Sequence, residues 1–397
     1  MSFKPVLRFA VASDVHYCDT NHRSPLRFKN AINTIYTYAD SQDYKGLDAL
    51  YIVGDFTNRG TPQQMADFKA DCDAVLRPET LLAVTLSNHE LHYGEGEDKA
   101  VADFCRTFNM PTDRHEVIKG IHFISMSTTN DGGVWHDSFD AAKREYLQNE
   151  LAKAAADGAD KPIFVFQHPG VINTMPGSGY GNLTIYEYLA KYPNVIDFSG
   201  HSHMATTDPR EIHQRDFTAL STGGITSISS ASNWLHKHLS NELYNPYDYA
   251  QMLLVEVDAE NTVCIKSLDA VACKWFDNAK FIYPARGKEG FEYTDNNRPA
   301  PFIAMKGGAA LKVGAGEAVL TFGRGEPLND IWYYEVNLKR ADGELIEQVN
   351  ICSDYASVNR KDVYIYKKAD PEGEIAQAEI KAIGFFGNEA EPIVVKA

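Results

Sequence analysis

Leu50-Tyr51-Ile52-Val53-Gly54-Asp55-Phe56-Thr57-Asn58 is an apolar run of strand character that stops at a glycine and a carboxylate. An unbroken apolar strand is expected where both faces of a sheet are covered, and a Gly-Asp at its end falls where open α/β sheets place their ligand sites. Four other strand-like runs in the first half of the chain end in the same way. Phe9 to Ser13 leads into Asp14-Val15-His16, and Leu81 to Ser87 into Asn88-His89-Glu90. Ile163 to Gln167 leads into His168-Pro169, and Val195 to Gly200 into His201-Ser202-His203. In extended backbone, residues two apart project to the same side, so Asp14 and His16, like His201 and His203, can each point at one locus. Oxygen and imidazole donors together suit borderline ions such as Mn, Fe or Zn, and the absence of cysteine from all five blocks argues against a thiolate structural zinc. A carboxylate can bridge two ions, which is the role open to Asp55. Two ions about 3.5–4 Å apart clamp the attacking and leaving oxygens of an in-line displacement.

Between these blocks the pattern alternates. Ser24-Pro25 reads as an N-cap with proline in the first helical position, followed by Phe28, Ala31, Ile32 and Ile35 at helical spacing. Thr61-Pro62-Gln63-Gln64 has the capping-box form and precedes an apolar stripe of Met65, Phe68, Cys72, Val75 and Leu76. A helix is expected around Lys99 to Phe108, a strand at Ile121 to Met126, and a long helix capped by Ser138 before the strand that Pro162 opens. Strands alternating with helices predict an α/β architecture. From Phe217 the pattern changes to strands joined by loops, Gln251–Val257, Thr262–Leu268 and Lys280–Tyr283 among them.

Residues Ala285 to Gly316 are rich in Gly and Pro and lack periodicity, the composition of a linker and connecting loops. Beyond them, short strand candidates at 318–322, 331–338, 345–351, 363–366, 379–383 and 393–395, separated by turn signals such as Ala341-Asp342-Gly343, predict a small all-β sandwich. The expected domains are 1–285, a linker at 286–300, and a sandwich at 301–397 with a weak likeness to fibronectin type III modules.

With 397 residues and a 44% hydrophobic share, the chain can bury full cores, and disorder is excluded as its main character. A net charge of -16 makes long nucleic acid a poor partner. The first residues enter a strand without a basic leader or apolar core, and no run approaches the roughly 20 apolar residues that cross a bilayer. Six cysteines, Cys18, Cys72, Cys105, Cys264, Cys273 and Cys352, show no pairing rhythm. These features together predict a cytoplasmic protein without a membrane partner.

Asp14-x-His16, Gly54-Asp55, Asn88-His89-Glu90, His168 and Gly200-His201-x-His203 occur in the order and approximate spacing of the calcineurin-like metallophosphoesterase superfamily, and residues 6 to 285 resemble it. The resemblance implies a four-layer α/β/β/α sandwich with two metal ions. By it, Asp14, His16 and His203 bind one ion, Asn88, His168 and His201 the other, and Asp55 bridges them. His89 takes the place of the histidine that contacts the phosphoryl group and protonates the leaving group, its imidazole oriented by Glu90 or another carboxylate. The implied reaction is attack by a metal-bridging hydroxide on the phosphorus of a small phosphomonoester or phosphodiester. Two departures stand out. Ser87 occupies a position that is usually glycine. Asn58 stands where purple acid phosphatases carry a tyrosine, which speaks against a tyrosinate-coloured ferric site; Gly54 to Asn58 looks more like bacterial members grouped with cyclic-nucleotide phosphodiesterases.

Two rival readings stay open at this level: a non-catalytic binding protein that uses the same fold and the C-terminal sandwich for interaction with protein or carbohydrate, and a nuclease. The complete ligand set favours the enzyme, and the acidic balance disfavours the nuclease. Substrate choice is expected in Asn130–Asp137, Val171–Asn182 and Asn233–Tyr249; the last is aromatic, with Trp234, His236, His238, Tyr244 and Tyr247. Cys18 is expected beside the site, and His92, His115, His122, His136 and His213 fall outside every block.

Overall fold

The first elements are strand β1 (Pro5–Ala12), helix α1 (Arg23–Ser41), strand β2 (Ala49–Val53), helix α2 (Pro62–Val75) and strand β3 (Leu81–Thr85), with the three strands parallel and adjacent. Every residue of β2 is buried, and its side chains alternate between two cores. Ala49, Tyr51 and Val53 join Phe9 and Val11 of β1 in one core, whereas Leu50 and Ile52 join Ala10, Ala12 and the inner faces of α1 and α2 in the other. The period of two thus serves two apolar layers at once, and so the sequence shows an unbroken run instead of an alternating one.

The chain then forms α3 (Asn88–His92), α4 (Glu97–Phe108), β4 (Arg114–Ile118), β5 (Ile121–Ser125), α5 (Ala141–Ala156), β6 (Ile163–Phe166), α6 (Tyr186–Leu189), β7 (Val195–Ser199), β8 (Ile212–Gln214) and β9 (Thr218–Ser221). Strands β4 to β9 make a second sheet in the order β4-β5-β6-β7-β9-β8, with β5, β6, β7 and β9 parallel. Strand β10 (Gln251–Asp258) returns antiparallel to β1, and β11 (Val263–Asp269), β12 (Lys274–Trp275) and β13 (Lys280–Ile282) complete the first sheet. Arg8, fully buried on β1, clamps this return by pairing at 2.7 Å with Glu256, its register partner on β10. The two sheets meet through aromatic rings. Phe9 lies edge-on to Phe123 and Phe164 with centroids 5.0 and 4.8 Å away, and Tyr51 stacks on Phe166 at 4.0 Å. Pairs of this kind add about 0.5–1.5 kcal/mol each beyond area burial. Helices α1, α2 and α4 cover the first sheet, and α5 and α6 pack into the core of the second, giving the four α/β/β/α layers.

The computed structural model describes residues 3–18, 23–93, 96–129, 139–181, 184–229, 244–298 and 300–397. These fall into two units. One comprises residues up to Thr206, Arg210–Ser229 and Tyr247–Asn297; the other gathers Arg298–Ala397 with Thr207–Pro209 and the described part of Ser230–Pro246. In the second, β14 (Ala304–Met305), β15 (Ala309–Gly314), β16 (Glu317–Gly323), β17 (Gly325–Glu326), β18 (Ile331–Lys339), β19 (Leu345–Cys352), β20 (Val363–Ala369), β21 (Gln377–Gly384) and β22 (Ile393–Lys396) form all-β sheets. A three-stranded sheet, β15-β16-β20, and a four-stranded sheet, β19-β18-β21-β22, share a core that includes Leu320, Phe322, Tyr334, Val336, Tyr364 and Ile380.

Several local expectations differ from the structure. Helix α1 starts at Arg23, which puts Ser24 and Pro25 inside its first turn. Helix α5 is capped by Asp140, whose side chain accepts from the Lys143 amide, while Ser138 lies outside the described residues. Residues 304–314, read as loop from their glycines, contain β14 and β15: a strand with one inward face needs few apolar residues, and β15 sinks Leu311 while exposing Ala310 and Lys312. Residues 286–297, read as linker, sit in the first unit. Thr61 caps α2 as expected, but Gln64 turns its side-chain oxygen to the Arg59 amide instead of closing the box.

Asp197, within β7, is fully buried with its carboxyl oxygens 3.0 and 3.2 Å from Gln167 Nε2. Burial pushes its pKa up to about 8, and the Gln167 hydrogen bond only moderates that rise. The folded state therefore holds a proton that the unfolded chain releases between its ordinary pKa of about 4 and about 8, and stability falls as pH rises through that window. Asp197→Asn is expected to raise stability relative to wild type at pH 8, by at most about 5 kcal/mol, and to confer no such advantage at pH 4. Denaturant melts of both proteins across that range measure the difference, and a pH-independent gap would remove the buried carboxyl as its source.

Candidate metal centre

The C-terminal ends of β1, β2, β6 and β7 and the start of α3 converge, and each turns sharply as it leaves its sheet. Asp14, His16, Asp55, His201 and His203 all have left-handed backbone, with φ of 52°, 52°, 49°, 67° and 53°. Such a conformation costs a non-glycine residue roughly 1–2 kcal/mol, so five in one site require compensation. Hydrogen bonds between the loops provide it. The Asp14, His16 and Tyr17 amides donate to the Gly54, Asp55 and Phe56 carbonyls, and the Gly200, Thr226 and Ser229 amides to those of His168, Asp14 and His203. Gly54 has φ of +74°, and a Cβ there would stand 2.4 Å from Ser87 Oγ and 2.5 Å from His168 Nδ1. At Gly200 a Cβ would meet Asp14 Oδ2 at 2.6 Å.

The turns bring seven donor side chains together in three overlapping groups: Asp14, His16 and His203; His16, Asp55 and His89; Asp55, His168 and His201, each with donor atoms within 4.8 Å of one another. His203 Nε2 lies 3.1 Å from Asp14 Oδ1, and His168 Nε2 lies 3.1 Å from Asp55 Oδ2. The Nε2 atoms of His16 and His89 are 4.0 and 3.9 Å from the same Asp55 oxygen. Asn88, the eighth residue expected here, is buried at the first position of α3, directly before His89.

Each carboxylate has one oxygen tied down and one turned to the centre. Asp14 Oδ2 accepts from the Ser13 hydroxyl at 2.5 Å and the His201 amide at 3.1 Å. Asp55 Oδ1 accepts from the Ser87 hydroxyl at 2.6 Å and the His89 amide at 3.1 Å. The imidazoles are oriented in the same spirit. His168 Nδ1 donates to the Val53 carbonyl at 2.7 Å, His89 Nδ1 to that of Asn58 at 2.9 Å, and His203 Nδ1 faces the Ser227 carbonyl at 3.2 Å. A carbonyl can only accept, so these contacts place the proton on Nδ1 and turn Nε2 inward, as in metal-ligating histidines. Asp14 Oδ1 is fully buried and makes no hydrogen bond despite its nearness to His203, as expected of a lone pair that a cation is to fill. The residues present fit a divalent ion pair.

Electrostatics agree with that fit. Burial would raise the Asp14 carboxyl, but the His203 and His168 imidazoles outweigh it and hold it at about 2. Burial likewise works to raise Asp55, and His168 and His89 pull it well below the ordinary range. Burial lowers His16 to about 3 and His201 to about 4, so both are neutral ligands at pH 7. The rim is uneven: side-chain exposure is 20% for His89 and 18% for His203, against 0% for His168.

Glu90 does not orient His89, contrary to expectation; the Asn58 carbonyl does. Glu90 is instead a buried acceptor for the amides of Asp55, Thr57 and Ser87 and the Thr57 hydroxyl, at 2.8 to 3.2 Å, joining the β2 loop to the start of α3. Reading residue types could not find the Asn58 and Val53 carbonyls, since every residue carries one. Ser13 and Ser87 adjoin the motifs, and their neighbours were the only available signal. Of the other histidines, His115 and His122 form a chain, Glu150 to His115 to His122 to Asp157, with contacts of 2.5, 2.8 and 2.9 Å, and His213 meets Asp295 at 3.2 Å. His136, Asn130–Asp137, Trp234, His236 and His238 lie outside the described residues. Tyr244 is buried and Tyr247 exposed. Among the described residues, no helix is long and apolar enough to cross a membrane.

A family model described as calcineurin-like phosphoesterase matches residues 7–205, a stretch that contains all eight site positions. No curated protein matches. Among solved structures, a purple acid phosphatase from yellow lupin (Lupinus luteus) seeds is 12% identical with a TM-score of 0.49, over 70% of this chain and 53% of that one. A β-glucuronidase from Parabacteroides merdae is 7% identical with a TM-score of 0.25, over 100% of this chain and 63% of that one. The chain thus spans about half the length of the first of these.

Proposed function

We propose, from the premise that this chain belongs to the calcineurin-like phosphoesterase family and is a metal-dependent phosphoesterase, that its substrate is a small phosphomonoester or phosphodiester. In this reading Asp14, His16 and His203 hold one ion, Asn88, His168 and His201 hold the other, and Asp55 lies between them. The observation that carries it is the shared carboxylate: Asp55 belongs both to the group with His16 and to the group with His168 and His201. Bound there, two ions would supply Lewis acidity toward the phosphate oxygens and acidify a coordinated water. The donor set suits Mn, Fe or Zn.

The chain's own residues divide the remaining work. His168 lies at the buried end with its ring fixed by the Val53 carbonyl, which favours positioning. His89 is on the open side, with Nδ1 held by Asn58 and Nε2 facing the centre, so its imidazolium form, carrying a second proton on Nε2, can pass that proton to the departing alkoxide and revert to the neutral ring. A small ester is favoured because the acidic chain repels polyanions.

The test is hydrolysis of an aryl phosphomonoester and a bis-aryl phosphodiester by protein reconstituted with Mn. Turnover abolished by chelation and restored by added ion is the expected result, and the ratio of the two rates selects the ester class. Protein that binds two ions and turns over neither ester would overturn the proposal in favour of a binding role.

A further inference from the structure

The hydroxyl of Ser87 touches Asp55 at both ends. It accepts from the Asp55 amide at 2.6 Å and donates to Asp55 Oδ1 at 2.6 Å, with Glu90 Oε2 farther off at 3.2 Å. One hydroxyl has a single proton, so the short contact to Oδ1 takes it. With the His89 amide also on Oδ1, that oxygen is filled by two donors, and Oδ2 alone faces the imidazoles of His168, His16 and His89. Ser13 treats Asp14 in the same way, filling Oδ2 together with the His201 amide and leaving Oδ1 for His203. The two carboxylates are therefore presented by one device built twice, a serine hydroxyl and a histidine amide on the outer oxygen.

Ser87 is the N-cap of α3 and forms a capping box with Glu90, but its backbone does not by itself require serine. Its φ of -148° and ψ of -165° are extended backbone open to any residue, and the side chain is fully buried. Nor is the Asp55 turn self-supporting, since φ there is 49°. The hydroxyl sits in the angle between the amide and carboxylate of that left-handed residue, where it fixes χ1 and selects the inward oxygen. A glycine or alanine at position 87 would take the hydroxyl away from Oδ1, where the His89 amide also donates, and loosen the hold on the carboxylate.

We infer that Ser87 is a positioning residue that restricts Asp55 to bridging through Oδ2, and so sets the affinity and mutual coupling of the two ions; this rests on the metal-site reading above. Groups that orient a ligand without touching the metal typically change affinity by 10–100-fold. Removal of the hydroxyl should therefore weaken binding of the second Mn by about that factor while leaving the metal-free fold intact.

Equilibrium dialysis with Mn, together with electron paramagnetic resonance of the loaded protein, tests this on wild type, Ser87→Ala and Ser87→Gly. Wild type is expected to bind two ions with an exchange-coupled spectrum. Both variants should require a 10–100-fold higher Mn concentration for the second ion and show altered coupling, while the metal-free proteins still fold and melt cooperatively. Failure of wild type to bind two ions would sink the metal-site reading itself. Wild-type binding of two coupled ions, with either variant matching it in affinity and spectrum, would overturn the role of Ser87 alone. Two variants guard against one failing to fold, and an effect confined to Ser87→Ala would point to the methyl group instead of the lost hydroxyl, also overturning the inference.

Discussion

Asp55→Asn is expected to reduce bound metal from two ions to one or none and to lower hydrolysis by at least about a thousandfold, since two-ion clamping supplies most of the charge stabilisation in such reactions. The substitution preserves shape while the charge shared by the His16 and His168 groups is lost. Asn also presents an amide NH₂, and whichever way it turns, one of two acceptors is misplaced: Oδ1 is needed by Ser87 and the His89 amide, Oδ2 by the ions. Metal analysis after dialysis and initial rates on the better of the two aryl esters are the measurements. Retention of two ions with near-native rates would show that Asp55 does not bridge.

His89→Ala should separate chemistry from binding. His89 is the most exposed of the imidazoles whose exposure is compared above, at 20%, and its inward Nε2 is 3.9 Å from Asp55 Oδ2. If it protonates the departing oxygen, the variant should keep both ions and lose about 10²–10⁴ in kcat, the ordinary yield of general acid catalysis. The loss should depend on the leaving group. A nitrophenolate departs without help and should be hurt least, whereas an alkyl phosphate should suffer most. Equal losses across a series of leaving groups would move His89 from proton donor to a binding role, and loss of an ion would make it a ligand.

Much of this centre is legible in the sequence, because chemistry is written in residue types. Asp14, His16, Asp55, Asn88, His168, His201 and His203 had to be oxygen or imidazole donors, and their placement at the ends of apolar runs followed from sheet periodicity. The helix caps were less legible. Ser24 and Ser138 have the chemistry of N-caps, yet Asp140 caps α5 and Ser24 lies inside the first turn of α1, because the path of the preceding chain decides where a helix starts. Strand β15 was hidden because an exposed face tolerates glycine, lysine and alanine, leaving Leu311 as its one well-buried residue.

By itself the sequence determined the ordered donor set, the α/β alternation of the first unit and the all-β character of the second, since each depends on local periodicity or residue chemistry. Only the tertiary structure decided how those donors are used: that Asp55 belongs to two groups, that Ser13 and Ser87 fill the outer carboxylate oxygens, that the Asn58 carbonyl orients His89 and that Glu90 ties loops instead. The physical reason is that these assignments hang on left-handed turns at Asp14, His16, Asp55, His201 and His203 and on backbone carbonyls brought from distant positions. Neither a φ angle held by tertiary hydrogen bonds nor the direction of a carbonyl leaves a mark in the identity of the residue that carries it.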